Sequence, residues 1–190
     1  MRRSVSARLP AAQREVSLDL SLDEGRRVRV RPLRATDRDR YVRALATLSP
    51  RSRYLRFASP TPKLSERQID LMLQVDGEHR VAYAALTPEE SALLGVARYI
   101  RTPESSNVAE VAIAIADDWQ GHGLGRILLT HLIQHARAAE LEGLVAIILG
   151  ENHVAARLSR DVGFAVAQRD GIYVRYEMAF RGPSPLHAAA

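Results

Sequence analysis

The chain has 190 residues, 46% of them hydrophobic, and a formal net charge of +5, enough for one sizeable core but, at the usual ~100–200 residues per domain, not for a second large one. It contains no cysteine, which excludes disulfides, thiolate metal sites and a thiol nucleophile. Of its 27 basic residues only Lys63 is lysine, and the arginines are spread among 22 acids without aromatic interleaving, a pattern that points away from nucleic acid.

The opening run MRRSVSARLPAAQREV has no continuous apolar stretch, so neither a secretory signal nor a membrane span is expected and the protein reads as cytoplasmic. Residues 1–14 and 182–190 lack periodicity and read as loose tails around one domain over 15–181. Val16, Leu18, Leu20 and Leu22 alternate with polar residues, Asp23-Glu24-Gly25 reads as a turn, and Val28–Pro32 alternates again, which predicts a β-hairpin. Asp37–Leu48 has helical spacing. Ser49–Phe57 reads as a short aromatic helical turn, and Ser65-Glu66-Arg67-Gln68 starts another helix with a capping box.

Arg80–Thr87, Leu93–Arg101 and Val108–Ile115 then read as three strands with short connections, an antiparallel meander. A helix is predicted over Leu124–Glu142, with Leu128, Leu129, Leu132, Ile133 and Ala136 on one face. The apolar run Leu144–Leu149 suits a buried parallel strand, so strand, helix and strand form a crossover unit. Asn152–Asp161 reads as a short helix, and Phe164–Gln168 with Ile172–Phe180 finish the sheet around Asp170-Gly171. The fold class is α/β (α+β), with a mixed, mostly antiparallel sheet of about seven strands, a parallel central pair, and helices on both faces.

The segment AEVAIAIADDWQGHGLGRI over 109–127 carries most of the functional information. A helix start offers unpartnered N–H groups and the positive end of the helix dipole, so a glycine-spaced turn at that point is an anion site. Glycines 121, 123 and 125 remove Cβ atoms that would hold a diphosphate away, and Arg126 in the first turn adds a cation. A dinucleotide fingerprint would need G-x-G-x-x-G, but Arg126 stands where its third glycine would fall. A Walker loop would need Gly-Lys-Ser/Thr, and the chain has no lysine there.

The spacing Gln-x-x-Gly-x-Gly after a strand, with the element order β-αα-βββ-α-β-α-ββ from about residue 26 to 180, resembles the GNAT superfamily of acyl-CoA-dependent N-acyltransferases. The words DEGRRV with RPL and Asp37, LSPRSRYLRF at 48–57 and GVARYI at 95–100 resemble, more narrowly, the acetyltransferase domain of bacterial protein-lysine acetyltransferases that modify acyl-CoA synthetases. The resemblance implies acetyl-CoA as co-substrate, bound by Gln120, Gly121, His122, Gly123, Leu124, Gly125 and Arg126 at its pyrophosphate. It also implies that Ile113, Ala114 and Ile115 offer backbone N–H groups to the thioester and pantetheine where a bulge splays the strand from its parallel neighbour. Asn152, in a segment similar to N-x-x-A-x-x-L-Y-x-x-x-G-F, either bonds the CoA arm or only caps its helix.

A lysine amine, with an ordinary pKa of about 10.4, is protonated at neutral pH and must lose a proton before it attacks a thioester. Glu110, on the strand that leads to the loop, is the expected base; Asp117 and Asp118 at the strand's exit read as groups that orient the loop. Ser159 stands where relatives carry the tyrosine proposed to protonate the leaving thiolate, so a dedicated general acid is in doubt. His131 and His135 read as a solvated or interfacial helix face, not a metal pair, because no Glu lies between them as in H-E-x-x-H. Tyr41, Tyr54, Arg53, Arg56 and Phe57 fall where the acceptor site is expected.

The expected activity is direct acetyl transfer from acetyl-CoA to a primary amine, with a protein lysine, such as one on an acyl-CoA synthetase, as the first acceptor class. A small-molecule amine, a peptide N-terminus, or a noncatalytic acyl-CoA-binding module are the alternatives. No metal, nucleic-acid or membrane partner is expected, and a monomer and a homodimer fit equally.

Overall fold

In the computed structural model, residues 17–59, 64–101 and 107–180 are described. The two expected tails and Lys63 lie outside them, as does most of the connection after Arg101. The sheet has eight strands, one more than expected, in the order β1-β2-β3-β4-β5-β6-β8-β7. They are β1 (Leu18–Ser21), β2 (Arg27–Pro32), β3 (Arg80–Leu86), β4 (Leu93–Arg101), β5 (Val108–Ile115), β6 (Gly143–Leu149), β7 (Ala165–Asp170) and β8 (Tyr173–Ala179). Only β5 and β6 pair in parallel.

The first hairpin forms as its alternation predicts, with Leu18 opposite Val30 and Ser21 opposite Arg27. Five α-helices accompany the sheet: α1 (Arg38–Thr47), α2 (Pro50–Phe57), α3 (Glu66–Leu73), α4 (Leu124–Ala138) and α5 (His153–Asp161). The capping box of α3 forms, Ser65 accepting from the Gln68 amide while Gln68 returns a bond to the Ser65 amide. Helix α4 ends at Ala138, a turn short of the expected Glu142. Glu140 takes a left-handed φ of 57° there, and the chain turns so that the Glu142 amide bonds the Asn107 carbonyl and enters β6.

Two apolar layers sandwich the sheet. On one face Leu124, Leu128, Leu129, Leu132, Ile133 and Ala136 of α4 pack on Val81, Ala97, Tyr99, Ala109 and Val111. On the other, Tyr41 of α1 and Ile69 and Leu73 of α3 pack on Ala82, Ala84, Leu93 and Val96. The strand period of two therefore sends β5 side chains at odd numbers toward α4 and those of Glu110, Ala112 and Ala114 toward the α1–α3 layer. Among the described residues no helix is long and apolar enough to cross a membrane.

The α1–α3 face also holds a buried ion pair. Arg31, 2% exposed, forks onto both oxygens of fully buried Asp37 at 2.8 Å, and its Nη2 reaches Glu90 at 2.8 Å. Burial alone would raise the Asp37 carboxyl, but bonds from Arg31 and the Arg34 amide hold it below the usual carboxylate value. The pair fastens the start of α1 to β2 and to the β3–β4 turn.

Candidate active site

The parallel pairing of β5 with β6 covers only Val108–Gly143, Ala109–Leu144 and Glu110–Val145. Beyond Glu110 the strands part, although both continue, β5 to Ile115 against β4 and β6 to Leu149 against β8. A wedge opens between two strand edges whose outer sides stay hydrogen-bonded.

Parity of the ladders says which backbone groups face the wedge. The Ala116 amide bonds Leu94 of β4, the Asn107 carbonyl bonds Glu142 ahead of β6, and the Ile115 carbonyl accepts from Gln120. Even-numbered β5 residues thus direct their N–H and C=O to β4, and odd-numbered ones direct theirs to the wedge. Of the three expected donors, Ile113 and Ile115 offer amides to the wedge, whereas the Ala114 amide is turned to Val96. The register from Arg101–Ala109 to Gly95–Ile115 is unbroken, so the expected bulge in this strand is absent. The splay comes instead from β6 diverging after Val145.

At the end of the wedge the chain passes through a 3-10 turn, Asp117–Trp119, into the glycine loop and α4. Gly121 and Gly123 have φ of +81° and +82°, and nothing lies within 4 Å of where a Cβ would stand on either. The loop is thus an open cradle whose curvature requires glycine and whose space would admit a diphosphate. Gly125 has a different reason: a Cβ there would meet Leu158 at 3.0 Å and Ile113 at 3.6 Å, so it lets α5 and β5 approach α4. Leu124 is fully buried and anchors the helix start. Arg126 is half exposed and pairs with Asp161 of α5 at 2.9 Å. His122 is half-buried in the loop.

Gln120 sits at a junction, its Nε2 donating to the Ile115 carbonyl at 3.1 Å and to Ser52 Oγ at 3.2 Å. Ser52 and Ser49 in turn donate to Asp117, at 2.6 and 2.8 Å, and the Ser49 amide adds a bond of 2.9 Å. Partial burial would raise the Asp117 carboxyl, but these bonds keep it below its ordinary value. Asp117 therefore ties the cap of α2 to the loop. The Glu151 carboxylate, just past β6, raises the phenol pKa of Tyr54 on α2. Helix α2 is thereby fastened to the β5 side of the wedge and to the loop.

Glu110 stands at the last paired position before the strands part, exposed, on the α1–α3 face. Arg56 of α2 feels its charge. The Asn152 side-chain oxygen accepts from the Ala155 amide at 3.1 Å, so the capping role is real and occupies the oxygen only. Ser159 is 5% exposed, inside the packing of α5. Of the expected alternatives, solvated or interfacial, His135 takes the interfacial one: it is buried, with Nδ1 2.9 Å from the Tyr99 hydroxyl, while His131 lies against the Tyr83 ring at 6.0 Å. Sequence reading missed the Ser49–Ser52–Asp117–Gln120 network, and Ser-Pro ahead of a helix was its one local signal.

The chain as a whole has relatives among known proteins. The acetyltransferase (GNAT) domain family matches residues 27–165. The chain belongs to this family. An acetyltransferase of Pseudomonas aeruginosa is 36% identical over 152 residues, covering 79% of this chain and 81% of that one. Among solved structures, the GNAT domain of the S. lividans PAT superposes with a TM-score of 0.81 at 28% identity, covering 91% of this chain and all of that one. A Salmonella typhimurium protein solved with its cofactor acetyl-CoA shares the fold, with a TM-score of 0.64 at 17% identity, over 83% of this chain and 96% of that one. This GNAT chain is thus an acyl-CoA-dependent acetyltransferase.

Proposed function

We propose that this GNAT protein transfers the acetyl group of acetyl-CoA directly to a primary amine, a protein lysine being the first acceptor class. The observation that carries the proposal is the opening of β5 from β6 directly ahead of a glycine helix start, because an extended arm ending in a diphosphate fits that pair of features. In this reading the amides of Gly121 to Arg126 hold the pyrophosphate, with Gln120 setting the loop and Arg126 exchanging Asp161 for phosphate. The pantetheine arm takes the place of a strand in the wedge, and the Ile113 and Ile115 amides bond it and the thioester oxygen. The Asn152 amide nitrogen, not used by its cap, faces the same arm.

Glu110 takes a proton from the acceptor ammonium, directly or through one water, and the neutral amine attacks the acetyl carbon. The thiolate then leaves; with Ser159 buried and a thiol pKa of about 8.5, it needs no tyrosine and regains its proton from water or from the attached ammonium. The lysine acceptor is supported by the words shared with bacterial protein-lysine acetyltransferases and by the likeness to the S. lividans PAT domain.

Thermal melting with acetyl-CoA and with NAD, followed by thiol release against a panel of amines and an acyl-CoA synthetase, tests the proposal. Acetyl-CoA at 100 times its Kd adds about 2.7 kcal/mol of stability and NAD adds none. No shift with acetyl-CoA would remove the donor from the reading, and no thiol release would remove the reaction.

A further inference from the structure

We infer that the acceptor carries a carboxylate close to its amine, and that Arg56 and Arg98 bind this carboxylate beside Glu110. The inference rests on the transferase reading and narrows its substrate. Arg98 stands opposite Ala112 in the β4–β5 ladder, and the next pair on the same face is Ile100 with Glu110, so Arg98 and Glu110 are diagonal neighbours on the acceptor side of the sheet.

Arg98 is 5% exposed; its Nη1 donates to the Met72 carbonyl at 2.8 Å, while its Nε is buried and makes no hydrogen bond. Capping the end of α3 accounts for Nη1 and leaves Nε unexplained. Arg56 lies on the last turn of α2, which packs on β5, with its guanidinium 4.9 Å from the Phe57 ring. Among the described residues, neither arginine has a carboxylate within ion-pair distance.

Arg56 lies within electrostatic reach of both Glu110 and Arg98, and Arg80 presses on Arg98 as well. Burial lowers the pKa of Arg56 and Arg98 below arginine's ordinary value, and the charge of Arg56 presses further on Arg98. A partly desolvated cation with no counter-ion is costly, and a planar fork is best satisfied by a carboxylate. On the same face Tyr41, Leu45, Leu48, Val96 and Ala114 line a shallow apolar cleft. Its Val96–Ala114 pair is the next on that face of the ladder after Arg98–Ala112, so apolar side chains border the arginine. Two sources supply this chemistry: the α-carboxylate of a free amino acid, or an acidic side chain next to a protein lysine.

Thiol release from acetyl-CoA is measured with leucine against leucinamide, and with end-blocked peptides whose single lysine is flanked by glutamate against glutamine. In one of the pairs the carboxylate member has a kcat/KM about tenfold higher or more, the size of one charge-assisted bond, and the responding pair identifies the source. The ratio falls toward one in Arg56→Gln and is partly kept in Arg56→Lys. Arg56 is half-buried, so its variants, with melting curves recorded alongside, carry the test without disturbing the buried Arg98. Equal rates within both pairs, or a ratio that survives Arg56→Gln, overturns this assignment while the transferase reading stands. Acetyl-CoA binding without thiol release for any amine, or no binding, overturns that reading and this assignment with it.

Discussion

The two faces of the sheet solve opposite problems. Under α4 the sheet is closed by hydrocarbon, with Leu124, Leu128 and Leu132 all fully buried. The neutral pair Tyr99 and His135 satisfies itself there by a mutual hydrogen bond, with the Arg101 charge close by. Under α1–α3 the sheet carries Arg31 and Arg98 within the layer, with Asp37 from the turn ahead of α1, Glu110 at its open edge, and an apolar cleft beside Tyr41. One face resists unfolding; the other holds charge where a substrate can use it. The strand period of two lets β4 and β5 serve both, since neighbouring residues are committed to different faces.

The sharpest way to break this division is at Glu110. Glu110→Gln lowers kcat by about 10²–10⁴-fold, the usual worth of a positioned base, with little change in acetyl-CoA affinity and little loss of melting temperature because the side chain is exposed. Steady-state kinetics across pH beside a melting curve decide it; undiminished kcat at every pH would take the base away from this residue. The mirror experiment is Leu132→Ala on the closed face. Stability drops by about 2–5 kcal/mol in urea unfolding, while kcat per folded molecule is retained. If Leu132→Ala slowed the chemistry of the folded fraction as Glu110→Gln does, the faces would not be separate.

Much of this was legible along the chain, for reasons that differ by element. The first hairpin, the α3 capping box and the Leu128–Leu132–Ala136 stripe are local patterns, set by a few neighbouring residues, and they form as read. The glycine loop was also legible, but its glycines have two causes. Gly121 and Gly123 answer to backbone φ, while Gly125 answers to Leu158, a neighbour that only the fold supplies. The end of α4 was misread because Ala139-Glu140-Leu141-Glu142 has good helix propensity, and the tertiary demand that Glu142 meet Asn107 outweighs it. Ser49 and Ser52 reach Asp117, and Gln120 reaches Ser52, across more than sixty residues of sequence, and no periodicity announces such a junction. The expected bulge failed for a related reason: the wedge is made by where β6 goes, and β5 alone carries no sign of it.

The closed face also makes a claim about pH, the smallest of these effects. Burial lowers the pKa of His135, and the Arg101 charge adds to this; burial lowers that of His131 too. With the folded values below the unfolded value of about 6.5, the unfolded chain binds more protons as the solution is acidified. Stability is therefore fully present above about pH 6.5 and falls as pH drops through that value and then through the folded ones. His135→Gln, which keeps a hydrogen-bonding group toward Tyr99 and cannot titrate, flattens part of that slope between pH 7 and 5, read as the urea midpoint at each pH. The open face predicts no such term in this window, because Asp37 and Asp117, both held low, release their contribution only at more acidic pH. A slope left unchanged by His135→Gln would mean that this histidine titrates in its pocket as it does in the unfolded chain, and that burial under α4 does not disfavour its charge.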